Sequence, residues 1–226
     1  MKYQRGMSLI ELMVSAAIAL VLVLGVGTVF LAMKQTFNLR QNMASTQSNQ
    51  RIAMQFLSAA VRDAGATPNA LTQAAPAQPI SGTGTNAGAD TLTVQFWADS
   101  SGAAQGCAAT LTANHSYTDV FSVTGGYLSC TETDNTASPP TSTTVRLIGG
   151  AAGSGNRLTG LNILYGIDPN GVGSTSRYVN AGSVTDWTTV RTVTFTLLFD
   201  APLANKENQT ATSLSVSQTV PFMIGL

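Results

Sequence analysis

The side chains that most often carry enzyme chemistry are scarce in this chain. Its 226 residues include one histidine, His115, and two cysteines, Cys107 and Cys130. A structural zinc site needs about four nitrogen or sulfur ligands, and a catalytic triad would have to use the one histidine. The cysteines also lack the Cys-x-x-Cys spacing of a redox motif. We therefore expect a protein that is not an enzyme and that holds no metal or cofactor.

Two loops resemble ligand sites only in part. Residues 168–173 read Asp-Pro-Asn-Gly-Val-Gly, which suggests a calcium loop, but the further acidic positions and the distal glutamate of such loops are missing. A turn between strands is favoured instead. Residues 149–155 are rich in glycine but lack the Lys-Ser/Thr pair of a phosphate-binding loop, so a surface loop is expected there.

The charge pattern argues against nucleic acid as a partner. Eleven basic and eleven acidic residues give a formal net charge of zero, and the basic residues form no run. Binding to nucleic acid depends on clustered lysine and arginine, which release counterions from the phosphates. The low charge, together with many Thr, Ser, Gly, Ala and Asn residues, is typical of turn-rich β-structure.

The N-terminal part of the chain contains a long apolar stretch. From Leu12 to Met33, about 22 residues contain no charged side chain, which meets the requirement for a membrane-spanning helix. Lys2 and Arg5 precede it, so the N-terminus is expected to stay in the cytoplasm. The alternative is a cleaved secretory signal with Ala17-Ile18-Ala19 as its cleavage site. Such a cut would leave the apolar residues 20–33 on the mature protein.

A second helical pattern follows the apolar stretch. Residues 34–64 contain no glycine or proline, and apolar residues recur at spacings of three and four, which predicts an amphipathic helix. Gly65 and Pro68 are expected to end it. The apolar positions of this helix are Ile52, Phe56, Leu57, Ala60 and Val61.

The rest of the chain has the alternating pattern of β-strands. After an irregular segment at 67–89, apolar residues alternate with Thr and Ser, which predicts six or seven half-buried strands. The clearest alternations lie at 92–96, 161–165, 193–199 and 214–222. An antiparallel sheet covered on one face by the amphipathic helix would bury both apolar surfaces. We therefore expect an α+β fold in which a long N-terminal helix packs on an antiparallel β-sheet.

The N-terminus carries the most specific motif. A short basic leader ends in Gly6, the hydrophobic Met7 follows, and Glu11 stands at the entry to the apolar stretch. A carboxylate inside a membrane segment is costly and by default functional, although at headgroup depth it would only mark the membrane edge. The combination closely resembles the signal of type IV pilins and type II secretion pseudopilins. That resemblance implies cleavage between Gly6 and Met7 by prepilin peptidase, N-methylation of Met7, and an assembly role for Glu11. In that role, Glu11 neutralises the N-terminal ammonium of a neighbouring subunit.

Later residues narrow the resemblance to PilW-type minor pilins. Residues 161–168, 178–179 and 184–193 are similar to the C-terminal half of those proteins, and so is the order of residues 90–94, Cys107, Tyr117 and 128–130. The resemblance implies a pilin-like fold and a minor pilin that helps to initiate or assemble a type IV pilus, with a place in twitching motility. Other minor pilins, the major pilin, prepilin peptidase and the inner-membrane assembly platform would be its partners, with a tip adhesin as a further candidate. The alternatives are a minor pseudopilin of a type II secretion system and a fibre-displayed module that binds DNA or glycan.

These predictions divide the chain into five segments. They are a prepilin leader at 1–6, a transmembrane and assembly helix at 7–33, an amphipathic helix at 34–66, a linker or loop at 67–89, and a β-rich periplasmic domain at 90–226. The precursor is expected to cross the bacterial inner membrane once, and the mature protein to enter the pilus fibre, at its tip. Because thiols are oxidised in the periplasm, Cys107 and Cys130 are expected to form a disulfide; two buried free thiols are the alternative.

Overall fold

The chain forms one long helix followed by a β-rich body. The computed structural model describes residues 8–69, 71–99, 106–108, 111–151, 156–200 and 214–222. Helix α1 spans Leu9–Asp63, a length of 55 residues. The chain divides into two compact units, residues 1–43 and residues 44–226.

The first unit consists of the N-terminal part of α1 in the described residues. Its side chains are exposed almost throughout, and the helix contains a window with a mean hydropathy of 2.6 that is long and apolar enough to cross a membrane. None of that window is buried against the rest of the protein. The predicted apolar helix is therefore present, and its surface requires a cover other than this chain's own core.

In the second unit, the last turns of α1 pack on the sheets through small and medium apolar residues. The buried face is made of Ala53, Met54, Leu57, Ala60 and Val61. The spacing also predicted that Phe56 lies on this face. That prediction is wrong, because the Phe56 side chain is 41% exposed. The buried stripe is narrow, and it includes two alanines but not the phenylalanine.

The start and the end of this packed segment are both fixed by hydrogen bonds. The Asn156 side chain accepts a hydrogen bond from Thr46 Oγ1 at 2.9 Å and donates one to Ser45 Oγ at 2.7 Å. After the helix ends at Asp63, Gly65 adopts a φ of +78° and its N–H donates to the carbonyl of Gln95 at 2.7 Å. A left-handed glycine just beyond the last turn is a common helix stop, so the predicted helix end is confirmed.

Nine strands, all paired antiparallel, form two sheets in the part of the chain that the structure describes. One sheet has the order β1-β2-β3-β4-β5 and the other the order β7-β6-β8-β9. The strands are β1 Ile80–Thr83, β2 Thr91–Trp97, β3 Ser116–Thr124, β4 Tyr127–Asp134, β5 Thr141–Gly149, β6 Leu158–Ile167, β7 Arg177–Val179, β8 Val190–Phe199 and β9 Leu214–Pro221.

The α+β prediction is confirmed, but the sheet arrangement differs from it. The sequence predicted one sheet, and the structure has two. Residues 80–83 form β1, although they lie in the segment predicted as a linker or loop. Two 3-10 turns, Ala181–Ser183 and Trp187–Thr189, lie between β7 and β8.

A buried carboxylate joins the two sheets. Asp90 is 2% exposed, and its Oδ2 accepts the Ile163 N–H of β6 at 2.8 Å while its Oδ1 accepts the Asn86 N–H at 3.0 Å. Beside it, Ala89 forms a parallel bridge with Leu161. The start of β2 is thus held against β6, and the apolar faces of both sheets contribute to one core with α1.

The predicted alternation accounts for most of that core. The alternating apolar positions of the predicted patterns at 92–96, 161–165 and 193–199 are all buried, at 2% exposure or less, whereas Leu164 and Leu198 on the opposite faces are partly exposed. The fourth pattern is buried only at its end, because Leu214 is 41% exposed whereas Val220 and Phe222 are buried. Among the described strands, β9 lies at the edge of its sheet and pairs with β8.

Candidate functional site

Of the residues predicted for processing and assembly, only Glu11 falls within the described chain. Gly6 and Met7 lie outside it. Glu11 stands in the first turn of α1, where the Glu11 N–H donates to the Ser8 carbonyl at 3.1 Å. In this position a carboxylate is stabilised by the positive end of the helix dipole. Among the described residues, Glu11 forms no ion pair.

The helix that carries Glu11 presents apolar side chains on all of its sides. Large apolar residues between positions 9 and 37 have exposed fractions of 53% to 77%. They are Leu9, Ile10, Leu12, Met13, Val14, Ile18, Leu20, Val21, Leu22, Val23, Leu24, Val26, Val29, Phe30, Leu31, Met33 and Phe37. A helix that is apolar all round is stable in lipid or among other apolar helices rather than in water.

The second predicted site, the cysteine pair, is a disulfide. Cys107 and Cys130 are joined, with their Cα atoms 6.2 Å apart, and this prediction is confirmed. Cys130 lies in β4 and is fully buried, whereas Cys107 precedes β3 and is half-buried. The bond fastens the segment at 106–108 to the inner face of the five-stranded sheet.

Two carboxyl groups lie beside this disulfide. Asp119 of β3 and Glu132 of β4 are directly opposite each other in the sheet register. Asp119 Oδ2 accepts the Cys107 N–H at 3.2 Å, and Glu132 Oε2 accepts the Ala108 N–H at 3.1 Å. Both residues are buried, and Asp119 Oδ1 has no hydrogen-bond partner within the described chain. An unpartnered oxygen in such a place makes the ionised form costly.

Burial therefore dominates the acidity of this pair. Burial and, after it, the negative charge of Glu132 raise the pKa of Asp119 to about 7, and the hydrogen bond from the Cys107 N–H acts in the opposite direction. Burial also raises the pKa of Glu132, against the hydrogen bonds from the Ala108 and Cys107 N–H groups. Like charges placed directly opposite each other on neighbouring strands are destabilising, so the pair favours holding at least one proton.

Asp119 and the two cysteines are residue types that bind metal ions, but the cysteines are not in the form that a metal requires. A carboxylate oxygen of Asp119 and the sulfurs of Cys107 and Cys130 lie within 4.8 Å of one another. Both sulfurs are used in the disulfide, and a metal requires the thiolate form of cysteine. The described residues contain no other group of three such side chains.

His115 is occupied in a structural contact next to this pair. Its Nδ1 lies 2.7 Å from Asp134 Oδ2, and the Tyr117 hydroxyl donates to the same oxygen at 3.4 Å. Burial raises the pKa of Asp134, but hydrogen bonds from His115 and from the Thr136 and Ala137 N–H groups outweigh it and lower the pKa. The contact of His115 with Asp134 therefore links the start of β3 to the end of β4.

The loop at 168–173 is a turn whose aspartate is used internally. Asp168 accepts the Val172 and Gly173 N–H groups at 3.2 and 2.6 Å, and Arg191 lies 3.7 Å away. Burial raises the pKa of Asp168, but these hydrogen bonds and the Arg191 charge together lower it. A neighbouring arginine opposes the binding of a cation at this carboxylate.

The Asp119–Glu132 pair is the feature that sequence reasoning missed. Asp119 occupies the buried phase of β3 between Tyr117 and Phe121, and Glu132 occupies the buried phase of β4 two residues after Cys130. The sequence did contain a signal for this pair, because each acidic residue occupies a position where the alternating pattern of its strand calls for an apolar residue. It was missed because the alternation of these two strands is weak in the sequence.

Comparison with known proteins gives one family match and one structural neighbour of interest. Residues 1–27 match the family model for the prokaryotic N-terminal methylation motif. A type IV-like pilin from Thermus thermophilus aligns with a TM-score of 0.48 at 12% identity, over 79% of this chain and 96% of that chain. The comparison with curated proteins yields no match.

Proposed function

We propose that this chain is a minor pilin, of the PilW-like kind, that helps to initiate or assemble a type IV pilus within a complex of minor pilins. The observation that carries the proposal is the methylation motif at residues 1–27, which runs directly into a helix with an exposed apolar surface. The role is assembly rather than catalysis. The precursor is anchored in the inner membrane, and the mature chain joins the fibre.

The helix provides the two contacts that such an assembly needs. Before assembly its apolar surface is covered by lipid, and in the fibre it is covered by the equivalent helices of other subunits. Glu11 provides the polar contact, because an ammonium at the new N-terminus of a neighbouring Met7 neutralises its charge in a low-dielectric bundle. The second unit, with its own core, presents its surface to other minor pilins, the major pilin or a tip adhesin.

The processing step is tested by intact mass. We expect the chain purified from membranes that contain prepilin peptidase to begin at Met7, with about 14 Da added by N-methylation. The chain from membranes without the peptidase should retain residues 1–6. An N-terminus near Leu20, or an uncut chain in both membranes, would contradict the proposal and leave an anchored β-rich protein of another role.

The role of Glu11 is tested by Glu11→Ala. We expect this variant to be cleaved and to reach the membrane at normal levels, but to be absent from sheared fibres and to reduce piliation. The matched control is Ser15→Ala, one turn further along the same exposed helix, where Ser15 Oγ bonds only to the Leu12 carbonyl. Normal piliation and incorporation of the Glu11 variant would refute the assigned role.

Deletion of the gene distinguishes a role in a type IV pilus from a role in a type II secretion system. Loss of surface pili and of twitching motility is the result expected for a minor pilin. Accumulation of unsecreted exoproteins with intact pili would instead assign the chain to a type II secretion system as a minor pseudopilin. Complementation with the full-length gene is the control for both readings.

A further inference from the structure

The Asp119 side chain lies against the Cys107–Cys130 disulfide. A carboxylate oxygen of Asp119 lies within 4.8 Å of both sulfurs, and the side chain is 1% exposed. Its two oxygens have different surroundings, because Oδ2 accepts the Cys107 N–H and Oδ1 has no hydrogen-bond partner in the described chain. Oδ2 is therefore held in place by the Cys107 N–H, and the carboxyl group keeps a free oxygen that can take or give a proton.

The two cysteines differ in access to solvent. Cys107 is half-buried, and Cys130 has no exposed surface. A thiol or disulfide from outside can therefore reach Cys107 and not Cys130. Cys130 must then be the thiol that attacks when the bond closes and the group that leaves when it opens. A thiolate without solvent is costly, so each event needs a proton carrier within the protein.

We propose that Asp119 is this proton carrier. During closure, an external disulfide, either a small molecule or a protein, first exchanges with Cys107 and releases one of its sulfurs as a thiol. The Asp119 carboxylate takes the proton of the Cys130 thiol. The resulting thiolate attacks Cys107 Sγ, and the mixed disulfide breaks with its electron pair going to the second external sulfur. Two protein thiols are oxidised, the external disulfide is reduced to two thiols, and the proton on Asp119 passes to the leaving group or to water.

Opening is the reverse sequence. An external thiolate attacks Cys107 Sγ, the bond between the two protein sulfurs breaks, and its electron pair goes to Cys130. Protonated Asp119 then supplies the proton that neutralises the buried sulfur. The carboxylate oxygen lies within 4.8 Å of the Cys130 sulfur, so a rotation of the freed Cys130 side chain or one bridging water completes the path.

The surroundings of Asp119 suit this task near neutral pH. Burial and then the charge of Glu132 raise its pKa to about 7. Glu132 of β4 is the charged group that acts on it, the segment at 106–108 contributes only a backbone N–H, and the His115–Asp134 pair lies further along the same face. A base whose pKa matches the operating pH is the most effective in proton transfer.

The test measures ring closure in the full-length chain, reduced and held in detergent micelles. An aromatic disulfide that releases a coloured thiolate reacts with Cys107 first and releases a second equivalent when Cys130 closes the ring. The rate of the second phase is independent of reagent concentration and isolates the step assigned to Asp119. We expect this rate in the native chain to rise with pH up to about 7 and then to level off, following ionisation of Asp119.

Two variants separate proton transfer from a structural role. Asp119→Asn keeps the shape and the acceptor for the Cys107 N–H, so we expect the second phase at pH 7 to slow by at least about tenfold and to lose its inflection. Glu132→Gln keeps the base and removes its negative neighbour, so the inflection should remain and move to lower pH. Equal second-phase rates and profiles in Asp119→Asn and the native chain would overturn the proposal. If Asp119→Asn does not fold, an inflection that stays in place in Glu132→Gln would overturn it.

Discussion

At the scale of single residues, the buried carboxylates of this protein differ in what their oxygens contact. Asp168 has two backbone N–H donors and a nearby arginine, and its pKa is lowered despite burial. Asp119 has one donor, an unpartnered oxygen and an acidic neighbour, and its pKa is raised to about 7. Two carboxylates with equally little exposed surface therefore have pKa values shifted in opposite directions, because the hydrogen bonds to the charged form of Asp168 outweigh its desolvation. The two residues must also affect stability with opposite signs as the pH changes.

The pH dependence of stability follows from Asp119. Its pKa is raised in the folded state from the usual 3.8, so the native state holds a proton that the unfolded state has released between pH 4 and 7. The stabilisation is therefore complete below pH 4 and is lost as the pH rises through about 7. We expect Asp119→Asn to unfold at the same urea concentration as the native chain near pH 4. At pH 8 we expect its free energy of unfolding to exceed that of the native chain by an amount on the order of a few kcal/mol.

Urea titrations followed by tryptophan fluorescence measure this difference, because both tryptophans, Trp97 and Trp187, lie in the unit at 44–226. Asp200→Asn is the matched control, since Asp200 forms a partly exposed ion pair with Arg157 at 3.4 Å. A surface pair of this kind is worth at most about 1 kcal/mol. A constant offset between native and Asp119→Asn chains from pH 4 to 8 would show that Asp119 does not titrate as described.

At the scale of elements, the sequence predicted what depends on neighbouring residues and missed what depends on distant ones. The end of α1 at Gly65 and the alternation at 193–199 are local patterns, and both were predicted correctly. The division into two sheets was not, because it depends on which distant strands pair, as Leu161 of β6 does with Leu197 of β8. Strand β7 has three residues, too few to show a period. The prepilin-type signal at the N-terminus was found because all of its parts are adjacent in sequence.

The stop of helix α1 yields a prediction about glycine. A Cβ at Gly65 would lie 3.1 Å from Pro79 Cβ, and its φ of +78° is unfavourable for other residues. Gly171 has a similar φ of +68°, but no atom lies within 4 Å of its Cβ position. We expect Gly171→Ala to cost about 1 kcal/mol from the backbone alone, and Gly65→Ala about 2 kcal/mol because the contact adds to it. Urea midpoints of the two variants check this, and equal midpoints would mean that Pro79 moves aside freely.

At the scale of the whole molecule, the two units differ in how their apolar surface is covered. The described residues of the first unit bury none of their side chains, whereas the second unit has a continuous core drawn from the helix and both sheets. The first buried side chain along the chain is Thr46, which bonds to Asn156, and the helix contributes Ala53 and later residues to the core. The core of the second unit is therefore built from that unit's own residues.

A chain cut at residue 44 is accordingly expected to fold alone. Exported to an oxidising compartment so that the disulfide forms, residues 44–226 should unfold cooperatively at the urea midpoint of the full-length chain. The matched truncation, residues 58–226, loses Ala53, Met54 and Leu57 from the core, and removal of one buried leucine side chain alone costs about 2–5 kcal/mol. We expect that shorter chain to be unfolded or strongly destabilised. If residues 44–226 also failed to unfold cooperatively, the apolar helix would have to stabilise the β-rich unit as well as anchor it, and its exposed surface would then have a role before assembly.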